Sequence, residues 1–464
     1  MAVRQPPLGG ERPAAAPAGH DAAPGTAAMP APEGAGTAGD EVALLAAPEV
    51  VAQSLADYVG AWWRRVRGGE SGMLPVVAGM VAIVVIFQAQ NSLFLSAGNL
   101  VNLLIQAAVF VLLGIGEVFV LLLGEIDLSV GFAAGIGGGL MAALVAPPFN
   151  VPWWAAILAA LVGNTVMGLV LGTLVTRLRL PSFIVTLAAL IGFEGLMIWM
   201  FDSLSVAVGG VITVSNKYIL DLVSGTLSPA ASWIVMIALV VAFGALTLYR
   251  DARRRSSGLV APPWGMTVLK VGLAAVAGVV LVLICNTNRG IHSATLHTTV
   301  EGVPWAIPII FAVMLGASFL LARTRFGRYV YAIGGNSEAA RRAGVNLALI
   351  RTVAFGLTGL LAGMAGIIYT SWLGSIATDI DGGDYVLYAV AAAVIGGTSL
   401  FGGRGKPLHA LLGGAVIAAI ANGLALLGAS AAATYMVTAL VLLAAITVDS
   451  IARRGQGAGA RAKV

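Results

Sequence analysis

The chain has 464 residues, of which 59% are hydrophobic and only 10% charged, with a formal net charge of +5. A water-soluble domain carries about 25% charged residues, so the composition excludes an ordinary soluble enzyme and points to a chain housed in lipid. Sixty glycines suit membrane helices that pack backbone to backbone, and the single cysteine, Cys285, rules out an internal disulfide.

Residues 1–60 are rich in Ala, Pro and Gly without apolar periodicity, and are expected to be a disordered cytoplasmic tail. They hold no signal-peptide apolar core. Leu55 to Val66, with Trp62, Trp63, Arg64, Arg65 and Arg67, reads as an interfacial lead-in helix. Apolar runs of membrane length follow near 73–95, 98–123, 128–146, 154–176, 181–201, 231–250, 267–285, 306–322, 351–371, 385–404, 407–428 and 432–450. Glycine-rich breaks allow half-helices in the second, third, tenth and eleventh.

Basic residues fix the expected orientation. Taking the first run from inside to outside, Arg177/Arg179, Arg250/Arg253/Arg254/Arg255, Arg323/Arg325/Arg328, Arg341/Arg342/Arg351, Arg404/Lys406 and Arg453/Arg454 all fall in the cytoplasm. Of 26 Lys and Arg, only Lys217 and Arg289 fall outside. The expected fold is an all-α polytopic membrane protein of about 12 transmembrane helices, with both termini cytoplasmic. The permease domain covers 61–452, and 453–464 is a second tail. Three outer loops are long: 202–230, 286–305 and 372–384. The last carries Asp379, Asp381 and Asp384, expected to attract the basic rim of an outer partner.

Polar chemistry concentrates in a few stretches. Gly124-Glu125-Ile126-Asp127-Leu128-Ser129-Val130-Gly131 places two carboxylates and a hydroxyl between apolar runs. Ser129 can cap the following helix and Asp127 can accept from its free N–H groups. The sharper reading makes Glu125, Asp127 and Ser129 the wall of a path for a hydrated substrate. Gly396-Gly397-Thr398-Ser399-Leu400-Phe401-Gly402-Gly403 echoes that octet, adding Thr398 and Ser399 as path candidates. Two related halves or two unrelated glycine turns both fit the echo. Glu117 and Glu194 are the acids inside expected helices, and an intramembrane acid is a functional candidate by default.

The inside loop 323–350 holds a second constellation, from Tyr331 to Val345. Gly334 and Gly335 open it, Asn336 or Ser337 can cap, and Glu338, Ala339, Ala340, Arg341 and Arg342 form a short helix stopped by Gly344. Glu338 precedes Arg342 by four residues, the favoured ion-pair order. Gly335 is expected to need a backbone conformation reserved for glycine. Arg328 and Arg351 are expected to anchor the loop near headgroups. Such a rigid element suits docking to another protein.

No His/Cys/Asp/Glu spacing suggests a metal site, and nothing points to a nucleic-acid partner. Gly403-Arg404-Gly405-Lys406-Pro407 fails as a phosphate loop, because proline stands where the Mg²⁺-binding hydroxyl belongs. No cofactor and no catalytic residue are expected in this chain; ATP and Mg²⁺ would belong to a partner subunit.

With these residues in view the chain resembles the membrane-spanning permease of bacterial ABC sugar importers of the ribose/xylose/arabinose/galactose type, xylose permeases above all. The resemblance rests on Gly124–Gly131, Leu180-Pro181-Ser182-Phe183-Ile184-Val185-Thr186-Leu187, Phe326-Gly327-Arg328 through Asn346, and Val394-Ile395-Gly396-Gly397-Thr398-Ser399-Leu400. It implies a second permease copy, two cytoplasmic ATPase subunits, an extracytoplasmic sugar-binding protein, and residence in the bacterial plasma membrane among lipid. It implies that Gly334–Gly344 is the loop that couples to the ATPase. The stretch 251–305 adds a helical pair relative to ribose-type members, and Glu117 stands where the family pattern leads one to expect an apolar residue. The competing reading is a self-contained proton-coupled secondary transporter using Glu117 or Glu194; a structural scaffold is the third. A secondary transporter has no need for the capped docking helix at 334–344, and the polar breaks speak against a scaffold.

Overall fold

The computed structural model describes residues 60, 63, 73–204, 209–259, 261–290, 298–378, 380–440, 443, 444 and 447. Most of both tails, the lead-in helix and Asp379 lie outside them. In chain order the helices are α1 (Leu74–Gln90), α2 (Ala97–Leu122), α3 (Val130–Val145), α4 (Trp153–Leu178), α5 (Ser182–Ser203), a single turn α6 (Lys217–Leu220), α7 (Pro229–Ser256), α8 (Trp264–Asn286), α9 (Ala306–Arg323), α10 (Arg325–Gly335), α11 (Ser337–Arg342), α12 (Leu347–Leu373), α13 (Gly382–Ile395), α14 (Pro407–Leu426) and α15 (Ala431–Leu440). Strands β1 (Val211–Thr213) and β2 (Ser375–Ala377) pair antiparallel, Ile212 opposite Ile376.

Eight helices are long and apolar enough to cross a membrane, and four shorter apolar ones, α1, α3, α13 and α15, accompany them among the described residues. The run expected over 385–404 stops as a helix at Ile395, because Gly396 to Gly405 fold back as a loop. The expected third run is likewise a 16-residue helix.

The core forms around α2 and α12. Every residue of α2 from Ala107 to Leu122 is buried. Lipid offers no hydrophobic force between helices, so close backbone approach must hold them. Glycines permit it: a Cβ at Gly168 of α4 would overlap the Phe355 carbonyl of α12, and one at Gly366 of α12 would overlap that of Ala134 in α3. Thr358 Oγ1 adds a bond across to the Gly116 carbonyl of α2 at 2.9 Å. The hairpin α7–α8 sits at the other extreme, with most of its surface exposed.

Inter-loop bonds sort the connections into two faces. On one, the 123–129 loop meets the α4–α5 turn, where Ile126 N–H donates to Ser182 Oγ (3.4 Å) and Thr186 Oγ1 donates to the Ile126 carbonyl (3.2 Å). That face also carries the ends of α9, α10 and α13, and hence the arginine clusters. On the opposite face β1 pairs with β2, Thr226 bridges Pro304, and Asn91 Nδ2 donates to the Leu426 carbonyl at 3.0 Å. The grouping is the one expected from basic-residue asymmetry.

Candidate functional site

The two glycine octets and the capped loop, far apart in sequence, meet at the basic face. Gly403 N–H donates to the Leu122 carbonyl at 2.9 Å, stitching the 396–406 loop to the end of α2. Gly334, closing α10, lies so close that a Cβ there would overlap the same Leu122 oxygen. Tyr331 Oη donates to the Gly405 carbonyl at 2.7 Å, fixing α10 from a second point. Gly124 holds φ at +77°, which lets the chain turn out of α2 beside Phe401. Three backbones thus share one small contact with no side chain between them.

From this contact α11 projects. Asn336 caps it, its Oδ1 accepting from Ala339 N–H at 2.9 Å, and Gly344 at φ +82° stops it. Arg341 grips Glu338 through Nε (2.9 Å) and Nη2 (2.7 Å), with Arg342 Nε at 3.1 Å. Those guanidiniums hold the Glu338 carboxyl below its usual range. Ser337, Glu338, Ala339, Arg341 and Arg342 are exposed, whereas Ala340 is buried against the protein. The presented face is therefore narrower than the sequence suggests. Gly335 is a correction: it is exposed, has no positive φ and has open space where a Cβ would stand. The position that needs glycine is Gly334.

The octet residues play parts that the sequence only half disclosed. Asp127 is buried and accepts from both the N–H (2.9 Å) and the hydroxyl (2.6 Å) of Ser129. Asp127 thus organises the start of α3, while Ser129 donates and caps nothing. Glu125 Oε1 stands 3.1 Å from Nε of Arg351 near the start of α12, an ion pair without hydrogen-bond alignment. Arg351 consequently ties the octet to α12 instead of reaching for headgroups. Thr398 is buried with Oγ1 3.2 Å from His409 Nδ1, and Ser399 is buried in the same turn, its Oγ accepting from Phe401 N–H at 3.2 Å. Thr398 and Ser399 belong to the 396–406 loop at the junction, while Glu125, Asp127 and Ser129 belong to the loop that leaves α2 beside it. Glu117 lies fully buried in α2, its carboxylate near the Asp127 backbone and carboxylate but with neither oxygen in hydrogen-bond alignment.

Glu194 goes elsewhere. It is exposed near the middle of α5, flanked by Gly192 and Gly195, both facing open space. Asp381 and Asp384 lie on the opposite face, Asp381 capping α13 through Asp384 N–H (3.4 Å) and accepting from Tyr435 Oη at 2.8 Å. They therefore head a cluster, not a bare acidic loop. Tyr385 packs edge-on to Tyr369 (5.5 Å) and Tyr388 (6.1 Å), and Phe110 lies 5.3 Å from Tyr388. Trp372 Nε1 donates to Asn102 Oδ1 at 3.1 Å. Sequence reasoning passed over these rings, although Asp381, Asp384, Tyr385 and Tyr388 follow the three-and-four spacing of one helix face.

Residues 99–446 match the family described as the permease component of branched-chain amino acid transport systems. The chain belongs to this family. The permease is similar to the xylose transport system permease protein XylH of Escherichia coli K12, 33% identical over 398 residues that cover 83% of this chain and 95% of that one. XylH of Haemophilus influenzae is 32% identical over 386 residues, covering 82% and 97%. The ribose import permease protein RbsC of Haemophilus influenzae is 28% identical over 374 residues, covering 80% and 91%. No solved structure matches. The permease is a multi-pass membrane protein and a transport subunit rather than an enzyme.

Proposed function

We propose that this permease is the membrane-spanning subunit of an ATP-driven importer that carries a monosaccharide, xylose or a similar pentose or hexose, across the bacterial plasma membrane. The names of its relatives supply the sugar class. The observation that carries the mechanism is the seating of Gly334 on Leu122 and Gly403, beneath the capped helix α11. A push on α11 reaches both glycine turns through backbone alone, so an ATPase docked there can move two membrane hairpins together. The transporting unit is a homodimer of permeases with two ATPase subunits on the basic face. A sugar-binding protein delivers to the opposite face, where Asp381 and Asp384 attract it. Glu194 would cost several kcal/mol if left facing lipid. Its face of α5 therefore turns toward the second copy, where a water-filled path between the copies hydrates the acid and offers it to sugar hydroxyls.

The test is reconstitution with the ATPase and binding protein in vesicles, measuring uptake and ATP hydrolysis across pentoses and hexoses. Sugar-stimulated hydrolysis and binding-protein-dependent uptake are expected, and Ala339→Glu should abolish both while leaving the permease in the membrane. Uptake driven by a proton gradient without the ATPase would replace this reading with the secondary transporter.

A further inference from the structure

The arginines at the basic end of the α7–α8 hairpin are not equivalent. Arg255 is committed: it stacks 3.8 Å over the Trp264 ring and donates to the Pro262 carbonyl. Asp251, the acid of this stretch, is buried and accepts from Thr267 Oγ1 of α8 at 2.6 Å. Arg250, Arg253 and Arg254 remain, and with Arg323 from the end of α9 they line a cavity of about 300 Å³ together with Tyr249 and Leu259. Among the described residues none of these four guanidiniums forms an ion pair.

Four cations around one hollow repel one another unless an anion sits among them, and the planar guanidinium fork matches phosphate oxygens. The neighbouring side chains identify which phosphate. Leu246 stands four residues before Arg250, and Phe319 four before Arg323, so each lies on the same helix face one turn deeper into the membrane. Both are 63% exposed. A soluble anion has no use for that apolar pair; a lipid tail does.

We propose that this hollow binds the phosphodiester of an anionic phospholipid, whose acyl chains lie along Leu246 and Phe319. The lipid bridges the hairpin to α9, the helix that leads into α10 and the junction.

The full-length protein in detergent is titrated with dioleoylphosphatidylglycerol, dioleoylphosphatidylcholine or inorganic phosphate, and bound species are counted by native mass spectrometry. Phosphatidylglycerol should be retained in preference to phosphatidylcholine and should resist displacement by phosphate. Each arginine beside an anionic lipid is worth about fivefold in affinity, so combined Arg250→Gln, Arg254→Gln and Arg323→Gln should weaken retention on the order of a hundredfold. The Arg177→Gln/Arg179→Gln pair, at another basic helix end, should leave retention unchanged. Equal retention of both lipids by the unaltered protein overturns the proposal whether or not the variants accumulate. So does an equal loss in the Arg177/Arg179 pair, which would make the effect one of general charge. Displacement by phosphate at matched concentration would reassign the hollow to a soluble anion.

Discussion

The junction at Gly334 on the basic face and the start of α13 on the opposite face are fastened by different means. At the first, Leu122, Gly334 and Gly403 touch backbone to backbone, with side chains around them in Tyr331, the Glu125–Arg351 pair, and Ser182 and Thr186 on Ile126. At the second, beside the short β1–β2 ladder, the fastening is side-chain work: Tyr435 on Asp381, Trp372 on Asn102, and a tilted stack of tyrosines. A contact made of backbone transmits displacement without slack, whereas a contact made of rotatable side chains can yield and re-form. The difference suits the roles proposed above, a push from an ATPase on the Gly334 junction and delivery by a binding protein near α13.

The comparison breaks first at Gly334. Gly334→Val should cost about 3 kcal/mol and uncouple ATP hydrolysis from transport, while Gly335→Val, one residue on, should leave both near normal. Thermal unfolding in detergent and coupled ATPase assays read the two effects; equal damage from both variants would dissolve the idea of a backbone junction. Beneath the junction, Glu117 carries two oxygens without hydrogen bonds. Replacing an unsatisfied buried group by an apolar one of similar volume should gain about 2 kcal/mol, so Glu117→Met should raise the unfolding temperature. A drop would mean that the acid holds a partner.

At the margin of the same end, Arg351→Gln leaves Glu125 unpaired and should cost about 1–2 kcal/mol, less than a fully buried pair because both side chains reach some water. A double-mutant cycle with Glu125→Gln isolates the pair, and zero coupling would remove it from the junction. On the opposite face Tyr435→Phe should cost about 1 kcal/mol and should slow delivery by the binding protein without altering basal ATPase activity. The smallest effect belongs to Glu338. Its carboxyl titrates below the ordinary glutamate value, so its contribution is complete above that value and is lost as pH falls through the depressed one. The protection of α11 against hydrogen exchange, corrected for the intrinsic pH dependence of the amide rate, should fall on acidification through that window in the native protein and stay constant in Glu338→Gln.

Much of this architecture was legible in the sequence, for physical reasons that can be named. Membrane length and arginine asymmetry group the loops onto the faces that the structure shows, because hydrophobicity and charge act residue by residue. The cap at Asn336 and the stop at Gly344 are local devices and read correctly. What escaped depends on meetings between distant segments. Nothing around Gly334 announces that Leu122 lies against it, and the expectation of an obligatory glycine fell on Gly335 instead. Ala340 turns inward because α11 packs back onto the protein, and Arg351 finds Glu125 across more than two hundred residues. Ser129 stands at the N-cap position of α3, but its hydroxyl is drawn back to Asp127 and bonds no helix N–H.

The burial of α2 has a consequence for how the chain is made. Its neighbours α12, α13 and α14 are synthesised late, between Leu347 and Leu426, whereas α2 ends at Leu122. At about 5–20 residues per second, α2 must wait on the order of 10–60 s for the helices that will enclose it. Throughout that interval Glu117 sits in a helix otherwise free of ionisable groups, with no finished bundle around it. A chain that stalls before Leu347 would leave this acid on a helix that lacks α12, α13 and α14, its main packing partners. Newborn chains interrupted there should be removed by membrane quality control far faster than chains interrupted after Leu426.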